Sequence, residues 1–202
     1  MQKKYKVILF VLFLIVLDQA SKILVKTNMT IGDEFNVIGE WFKIHFIENN
    51  GMAFGMELGG KWGKIALTLF RVVAVIGIGW FIANLIKKKS PKGVIVSFTL
   101  ILAGALGNIF DCLFYGLIFN DSYGKIADIF PSDGGYGSFL HGRVVDMLYF
   151  PLVDGVFPSF IPFVGGEHFV FFRPIFNLAD SYITIGVLLL IIFYRKGLTT
   201  KS

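Results

Sequence analysis

The sequence predicts an all-α integral membrane protein of four transmembrane helices, with a small outer β-hairpin or cradle and a long outer loop before the fourth helix. One integral domain, residues 1–202, holds all of it. Three observations lead there. The 202 residues are 55% hydrophobic and only 16% charged, with a mean hydropathy of +0.71, a balance that leaves too little charge to clothe a soluble domain. Four apolar stretches, at about residues 7–25, 65–86, 94–119 and 175–194, approach the ~20 residues that a bilayer core requires. The basic residues are partitioned between the connections. Lys3, Lys4 and Lys6 precede the first stretch, Lys87, Lys88, Lys89 and Lys92 separate the second from the third, and Arg195, Lys196 and Lys201 follow the fourth, with no Asp or Glu among them. Short basic segments stay cytoplasmic, so both termini face inward and the mixed-charge segments, about 26–64 and 120–174, lie outside. Topology thus accounts for the net charge of +5. Nucleic acid is not expected as a partner, for want of clustered basic residues beside stacking aromatics.

The first span, KKYKVILFVLFLIVLDQASK, has the basic start and apolar middle of a secretory leader. No A-x-A-like cleavage site follows, and the run ends in Asp18 and Lys22, so it reads as a retained span. Asp18 and Lys22 share a helix face, and Lys22 lies about 24 Å along the helix from Lys6, which puts both groups toward the outer end. Two readings are open: a snorkelling ion pair that anchors the helix, or the wall of a site. The outer segment that follows contains WFKIHFIENNGMAFGMEL, in which Asn50-Gly51 is a hairpin-turn signal and the Trp and Phe residues suit the headgroup zone. In the third span, AGALGNIFDC, Gly104, Asn108 and Asp111 fall on one stripe, with Gly104 and Gly107 permitting close helix approach. A packing seam and a functional wall both fit that stripe. The long outer loop, including FPSDGGYGSFLHG and FPLVDGVFPSFIPFVGG, shows no sustained helical period, and its aromatic content predicts an ordered structure close to the membrane. The fourth span opens as FNLADSYITIG, with Asn177, Asp180 and Thr184 on one face. Asp180 there is either a helix cap beside the dipole or a functional carboxylate.

A second carboxylate gives these positions chemical sense. Asp146, in GRVVDMLYF, is remote from Asp180 in sequence, yet both belong near the outer membrane surface. Two acids brought together cannot both ionise cheaply, so such a pair holds one proton, and one member can act as base while the other acts as acid. As an isolated surface residue Asp146 would need no role. Competing chemistries lack their residues: there is no H-E-x-x-H, no G-x-S-x-G and no Walker loop, and His45, His141 and His168 are scattered. Cys112 is the single cysteine, placed in an apolar span that disfavours a thiolate. No metal or organic cofactor is expected.

Taken in order, DQASK, NNGMAFG, GALGNIFD, VVDML and FNLADSYITIG resemble the motifs of the type II (lipoprotein) signal peptidases. Any one of them is weak; five in order, covering most of the chain, are specific. The resemblance implies an aspartic endopeptidase of the bacterial inner membrane that removes the signal peptide from diacylglyceryl-modified prolipoproteins, cutting before the lipid-modified cysteine near the outer face. It implies that Asp146 and Asp180 are the catalytic dyad and that Asp18, Lys22, Asn49, Gly51, Gly104, Asn108, Asp111 and Asn177 shape the site. Prolipoproteins and membrane lipids are the implied partners, a monomer the expected state, and the family inhibitor globomycin an expected competitor at the dyad. The sequence departs from the family in two places. Cys112 stands where the family usually has Arg, with Arg143 as a candidate replacement, and residues 151–173 lengthen the segment between the two acids. That insertion has three open roles: covering the site, gripping the exported part of the substrate, or binding a partner. The runner-up function is a small proton-coupled carrier using Asp18, Asp111, Asp146 and Asp180 as a relay. Against it, the chain has no inverted repeat and no paired broken helices.

Overall fold

The structure, a computed structural model, describes residues 3–50, 60–171 and 173–194. Among the described residues, three helices are long and apolar enough to cross a membrane. They are α1 (Lys3–Lys26), the Ile65–Lys87 part of α2 (Gly60–Lys87), and Lys92–Ile118. The last comprises α3 (Lys92–Phe110), a π-helical turn (Asp111–Tyr115) and a final short turn, α4 (Gly116–Ile118). A shorter apolar helix, Leu178–Tyr194, consists of α5 (Leu178–Leu189) and a π-helical turn (Leu190–Tyr194). Their exposed flanks are apolar, as with Leu9, Phe13 and Val16 on α1 and Phe70, Val73, Ile76 and Trp80 on α2. A helix clothed this way needs hydrocarbon around it.

Helix α3 is the hub, packed against α1, α2 and α5. Glycine sets its distance from its neighbours. A Cβ on Gly104 would stand 2.2 Å from the carbonyl oxygen of Ala179, and one on Gly107 would stand 2.6 Å from Asp18 Oδ2. Only hydrogen fits at either place, so α1 and α5 come close enough for their polar residues to meet those of α3.

The outer segments form more sheet than the sequence predicts, and the all-α assignment needs correction. Strands β1 (Glu34–Ile38), β2 (Phe42–Asn49), β3 (Val144–Tyr149) and β6 (Ile175–Phe176) make a four-stranded sheet in the order β1-β2-β3-β6. Its described pairings are antiparallel. Strand β3 escaped notice because its first four residues are all buried, which erases the two-residue alternation that marks a half-buried strand. The described part of this segment is a hairpin of β1 and β2. Strands β1 and β2 are joined at residues 39–41, with Gly39 at φ 53°, while Asn50 follows the end of β2. Gly51, the other half of the expected turn, lies outside the described residues. The fourth apolar segment begins as strand, since Ile175 and Phe176 pair with Tyr149 and Leu148 before α5 starts at Leu178.

Beneath the sheet, Met29, Phe46, Tyr115, Phe119, Ala127, Val145 and Met147 form a buried cluster that ties it to the ends of α1 and α4. Burying one large apolar side chain stabilises by about 1.5–3 kcal/mol, so this cluster fixes where β2 and β3 sit above the helices. Within the insertion at 151–173, β4 (Val153–Val156) pairs with β5 (His168–Phe171) in an antiparallel hairpin. The rings of Phe157 and Phe169 stack across it at 4.3 Å.

Candidate active site

Helix α5 starts where it does because Asn177 and Asp180 cap each other. Asn177 is the N-cap, and its side-chain oxygen accepts from the Asp180 backbone N–H at 2.9 Å, while Asp180 Oδ2 accepts from the Asn177 backbone N–H at 3.4 Å. This reciprocal box satisfies two amides that the first turn leaves open. It also fixes the Asp180 carboxylate at the positive end of the helix dipole. The cap and site readings of Asp180 are therefore compatible. One oxygen closes the box, and the other, Oδ1, accepts from Asn108 Nδ2 at 2.8 Å.

Asp146 reaches the same place from β3. It is 3% exposed; Oδ1 accepts from Asn177 Nδ2 at 2.7 Å, and Oδ2 accepts from Asn49 Nδ2. The strand register explains the second contact, since Asn49 and Glu48 on β2 lie opposite Val144 and Val145, beside Asp146. Asn177 thus touches both carboxylates, and Asn108 links Asp180 to Asn177, whose Nδ2 lies 3.1 Å from Asn108 Oδ1. Burial, and then the charge of Asp180, push the Asp146 carboxyl up to about 7, against the opposing hydrogen bond from Asn177, the charge of Lys22 and the hydrogen bond from Asn49.

Below this pair lies a second charged layer. Lys22 Nζ contacts Asp18 Oδ2 at 2.9 Å, Asp111 Oδ2 at 2.8 Å and Asn108 Oδ1 at 2.8 Å. Lys22 is 0% exposed and Asp18 is 1% exposed, which corrects the snorkelling reading: the pair faces α3, not the membrane surface. Asp18 Oδ1 accepts from the backbone N–H of Ala179 at 3.0 Å, so α1 holds the first turn of α5 directly. The stripe of Gly104, Asn108 and Asp111 faces these partners as one surface. The structure thus gathers all the expected site residues except Gly51, which is outside the described residues.

Sequence reasoning missed three residues. Gln19 donates to Asp111 Oδ1 at 2.8 Å and to Asp18 Oδ2 at 3.1 Å, and Tyr115 donates to Gln19 Oε1 at 3.0 Å. Gln19 stands beside Asp18 and one turn from Lys22, so the available signal was an amide at the polar end of an apolar span. The third is Arg71, a lone charge within the second span, whose Nη1 donates to Cys112 Sγ at 3.7 Å. Arg143, the candidate for a replacement guanidinium, lies elsewhere. It bridges Glu48 and Asp121, each at 3.1 Å, over the ring of Tyr136. Lys26 joins the same cluster through Glu48 and Ser122. His45 bonds Glu34, and His141 lies against Ser138, well separated along the outer segments. Among the described residues no group of three or more His, Cys, Asp or Glu is arranged to hold a metal ion.

Residues 10–195 match the family model described as signal peptidase (SPase) II. The chain belongs to the signal peptidase II family. A lipoprotein signal peptidase of Porphyromonas gingivalis is 52% identical over 187 residues, covering 92% of this chain and 81% of that protein. One from Amoebophilus asiaticus is 36% identical over 201 residues, covering 98% and 80%. A bacterial membrane enzyme solved by the in meso method at 1.9 Å resolution superposes with a TM-score of 0.62 at 28% identity, covering 98% of this chain and 94% of that one. Within the signal peptidase II family, this chain carries Cys112 in a buried position, 1% exposed. Cys112→Ser is expected to keep most activity, because the hydroxyl retains an acceptor for Arg71 and the thiol has no chemical part. Loss of activity in a folded Cys112→Ser protein, in an assay of precursor cleavage, would contradict this.

Proposed function

We propose that the chain is an intramembrane aspartic endopeptidase that removes signal peptides from diacylglyceryl-modified prolipoproteins. The observation that carries this reading is the pair of carboxylates, Asp146 from β3 and Asp180 from α5, joined by Asn177 at the head of an apolar helix. Asp146, with its carboxyl pushed up to about 7, carries the proton of the pair. Asp180 accepts a proton from water. The water oxygen bonds to the scissile carbonyl carbon, the C–N bond breaks, and Asp146 gives its proton to the departing amine. Hydrogen bonds from Asn49, Asn108 and Asn177 aim the oxygens without adding charge. Globomycin would compete at the same place.

A lipid-bound precursor suits this location. Its signal peptide is an apolar helix, and its acylated cysteine keeps the tails in one leaflet, so the bond to be cut lies near the membrane surface. The three long helices and α5 are read as four spans, with both termini in the cytoplasm of a bacterial inner-membrane protein. Reporter fusions after Lys89 should read cytoplasm and those after Asp133 the exterior. The opposite pattern would overturn both the topology and the site's placement.

The deciding assay incubates the purified protein in detergent with a diacylglyceryl-modified prolipoprotein and looks for a shortened product. An intact precursor would return the reading to a proton-coupled carrier. The pH profile is a further expectation. Because Asp146 must hold its proton, kcat should fall as pH rises through about 7. The Asn49 hydrogen bond favours the ionised form, so Asn49→Ala should raise the Asp146 value and move the alkaline limb to higher pH. A limb that stays put or moves down in Asn49→Ala would contradict the assignment.

A further inference from the structure

A groove of about 530 Å³ lies between α1 and α2, with Leu102 of α3 on its wall. Val11 and Ile82 are buried along it, and Gly79 widens it, since a Cβ there would meet nothing within 4 Å among the described residues. The groove has a charged end. Lys4, in the first turn of α1, and Lys87, at the last residue of α2, both line it. Successive spans run in opposite directions, so these two cations stand at the same end. Counting about 1.5 Å per residue, Val11 lies about 10 Å and Gly79 about 12 Å further along their helices, while Lys22 is about 27 Å from Lys4. The groove therefore belongs to the half of the bundle away from the acid pair. No Asp or Glu occurs in residues 1–17, 58–110 or 181–202, so the helices at this end offer the two lysines no carboxylate.

We propose that this groove binds one anionic glycerophospholipid of the cytoplasmic leaflet, its phosphate held between Lys4 and Lys87 and an acyl chain laid along the apolar wall. The size is within the roughly 300–1,000 Å³ of small-molecule sites. Apolar side chains around a recess lose dispersion contacts unless something fills it, and in a bilayer the flexible filler is an acyl chain. The charge of the mouth then selects the headgroup. A lysine near the membrane surface attracts anionic lipid by about fivefold, and the first turn of α1, which has no acidic residue, adds a dipole that favours an anion. A zwitterionic lipid fits the recess equally well but brings its own cation to the lysines. The signal peptide of a precursor is a poor occupant, because the end that would meet the lysines is itself basic.

The test incubates the purified protein in detergent with equal amounts of dioleoylphosphatidylglycerol and dioleoylphosphatidylcholine and counts retained lipids by native mass spectrometry. Wild-type protein should retain one phosphatidylglycerol, preferred roughly tenfold or more over phosphatidylcholine. Lys4→Gln/Lys87→Gln should bring that preference close to parity. Lys3→Gln/Lys88→Gln, which removes neighbouring charges outside the groove, should stay close to wild type. Gly79→Phe fills the recess with the lysines intact and should lower retention of both lipids. Equal retention of the two lipids by wild-type protein would overturn the proposal. So would an equal fall in both lysine pairs, which would mean diffuse attraction to basic ends, or unchanged retention in Gly79→Phe, which would mean that the recess plays no part. Should Gly79→Phe fail to fold, as judged by melting, Ala83→Phe on the same wall is read in its place. No precursor enters the measurement, so its outcome and that of the cleavage assay are independent.

Discussion

Asp146→Asn and Asp180→Asn are each expected to abolish precursor cleavage in a protein that still reaches the membrane and binds precursor. Asparagine matches the shape of aspartate but can neither take a proton from water nor pass one to the amine. General acid–base catalysis alone contributes roughly 10² to 10⁴ in rate. On the proposed mechanism the two acids act on one proton, so the double variant should be little worse than either single one. The geometry adds a further expectation. Both oxygens of each carboxylate accept hydrogen bonds, from Asn177 and Asn49 at Asp146 and from Asn108 and the Asn177 backbone at Asp180. An amide at either position turns one of these into a meeting of two donors, at a cost of about 1–3 kcal/mol. Single-turnover assays at high enzyme concentration, read alongside thermal melting in detergent, separate the two effects. Near-normal processing by either variant would refute the dyad.

Lys22→Met is expected to harm the protein more than the enzyme. Its ammonium is the cation shared by Asp18 and Asp111, and all three side chains are fully enclosed. Removing one partner from a buried ionic group is destabilising by about 3–5 kcal/mol, because the remaining charge has neither water nor a counterion. The variant should accumulate poorly in membranes and melt many degrees lower. Lys22→Met/Asp111→Asn should recover part of the loss, since it removes one of the two stranded charges. A snorkelling lysine would give another result, with normal accumulation for Lys22→Met, and that outcome would show the buried cluster to be wrong.

Much of the site could be read from the sequence because helices project their residues on a fixed period. Gly104, Asn108 and Asp111 were aligned by spacing alone, and α3 with the π-helical turn that continues it carries them on one face. The pairing of Asp18 with Lys22 was likewise legible, but its burial was not, since that depends on Gly107 letting α1 approach. The sheet was harder. Strand β3 is buried without alternation and β6 is two residues long, so neither has a pattern to detect, and β2 meets β3 only through contacts remote in sequence. Gly39, where β1 turns back into β2, stands alone rather than in a two-residue turn pair, so it gave no comparable signal. Arg71 and Gln19 were visible only as polar residues within apolar spans. Only the packing of α2 and α1 on α3 reveals what they touch.

The tight glycine seats of α3 bear on how resistance to an inhibitor lodged on the acid pair could evolve. A point substitution commonly defeats a drug by enlarging a residue at the rim of its pocket. At Gly104 and Gly107 that path is closed, because the first added carbon would collide with Ala179 O or the Asp18 carboxylate and spoil the site with the drug. Adaptive change would have to come from positions elsewhere in the chain, where an added carbon meets no backbone or carboxylate oxygen. Those are the parts of the chain where drug-selected lineages would be expected to diverge.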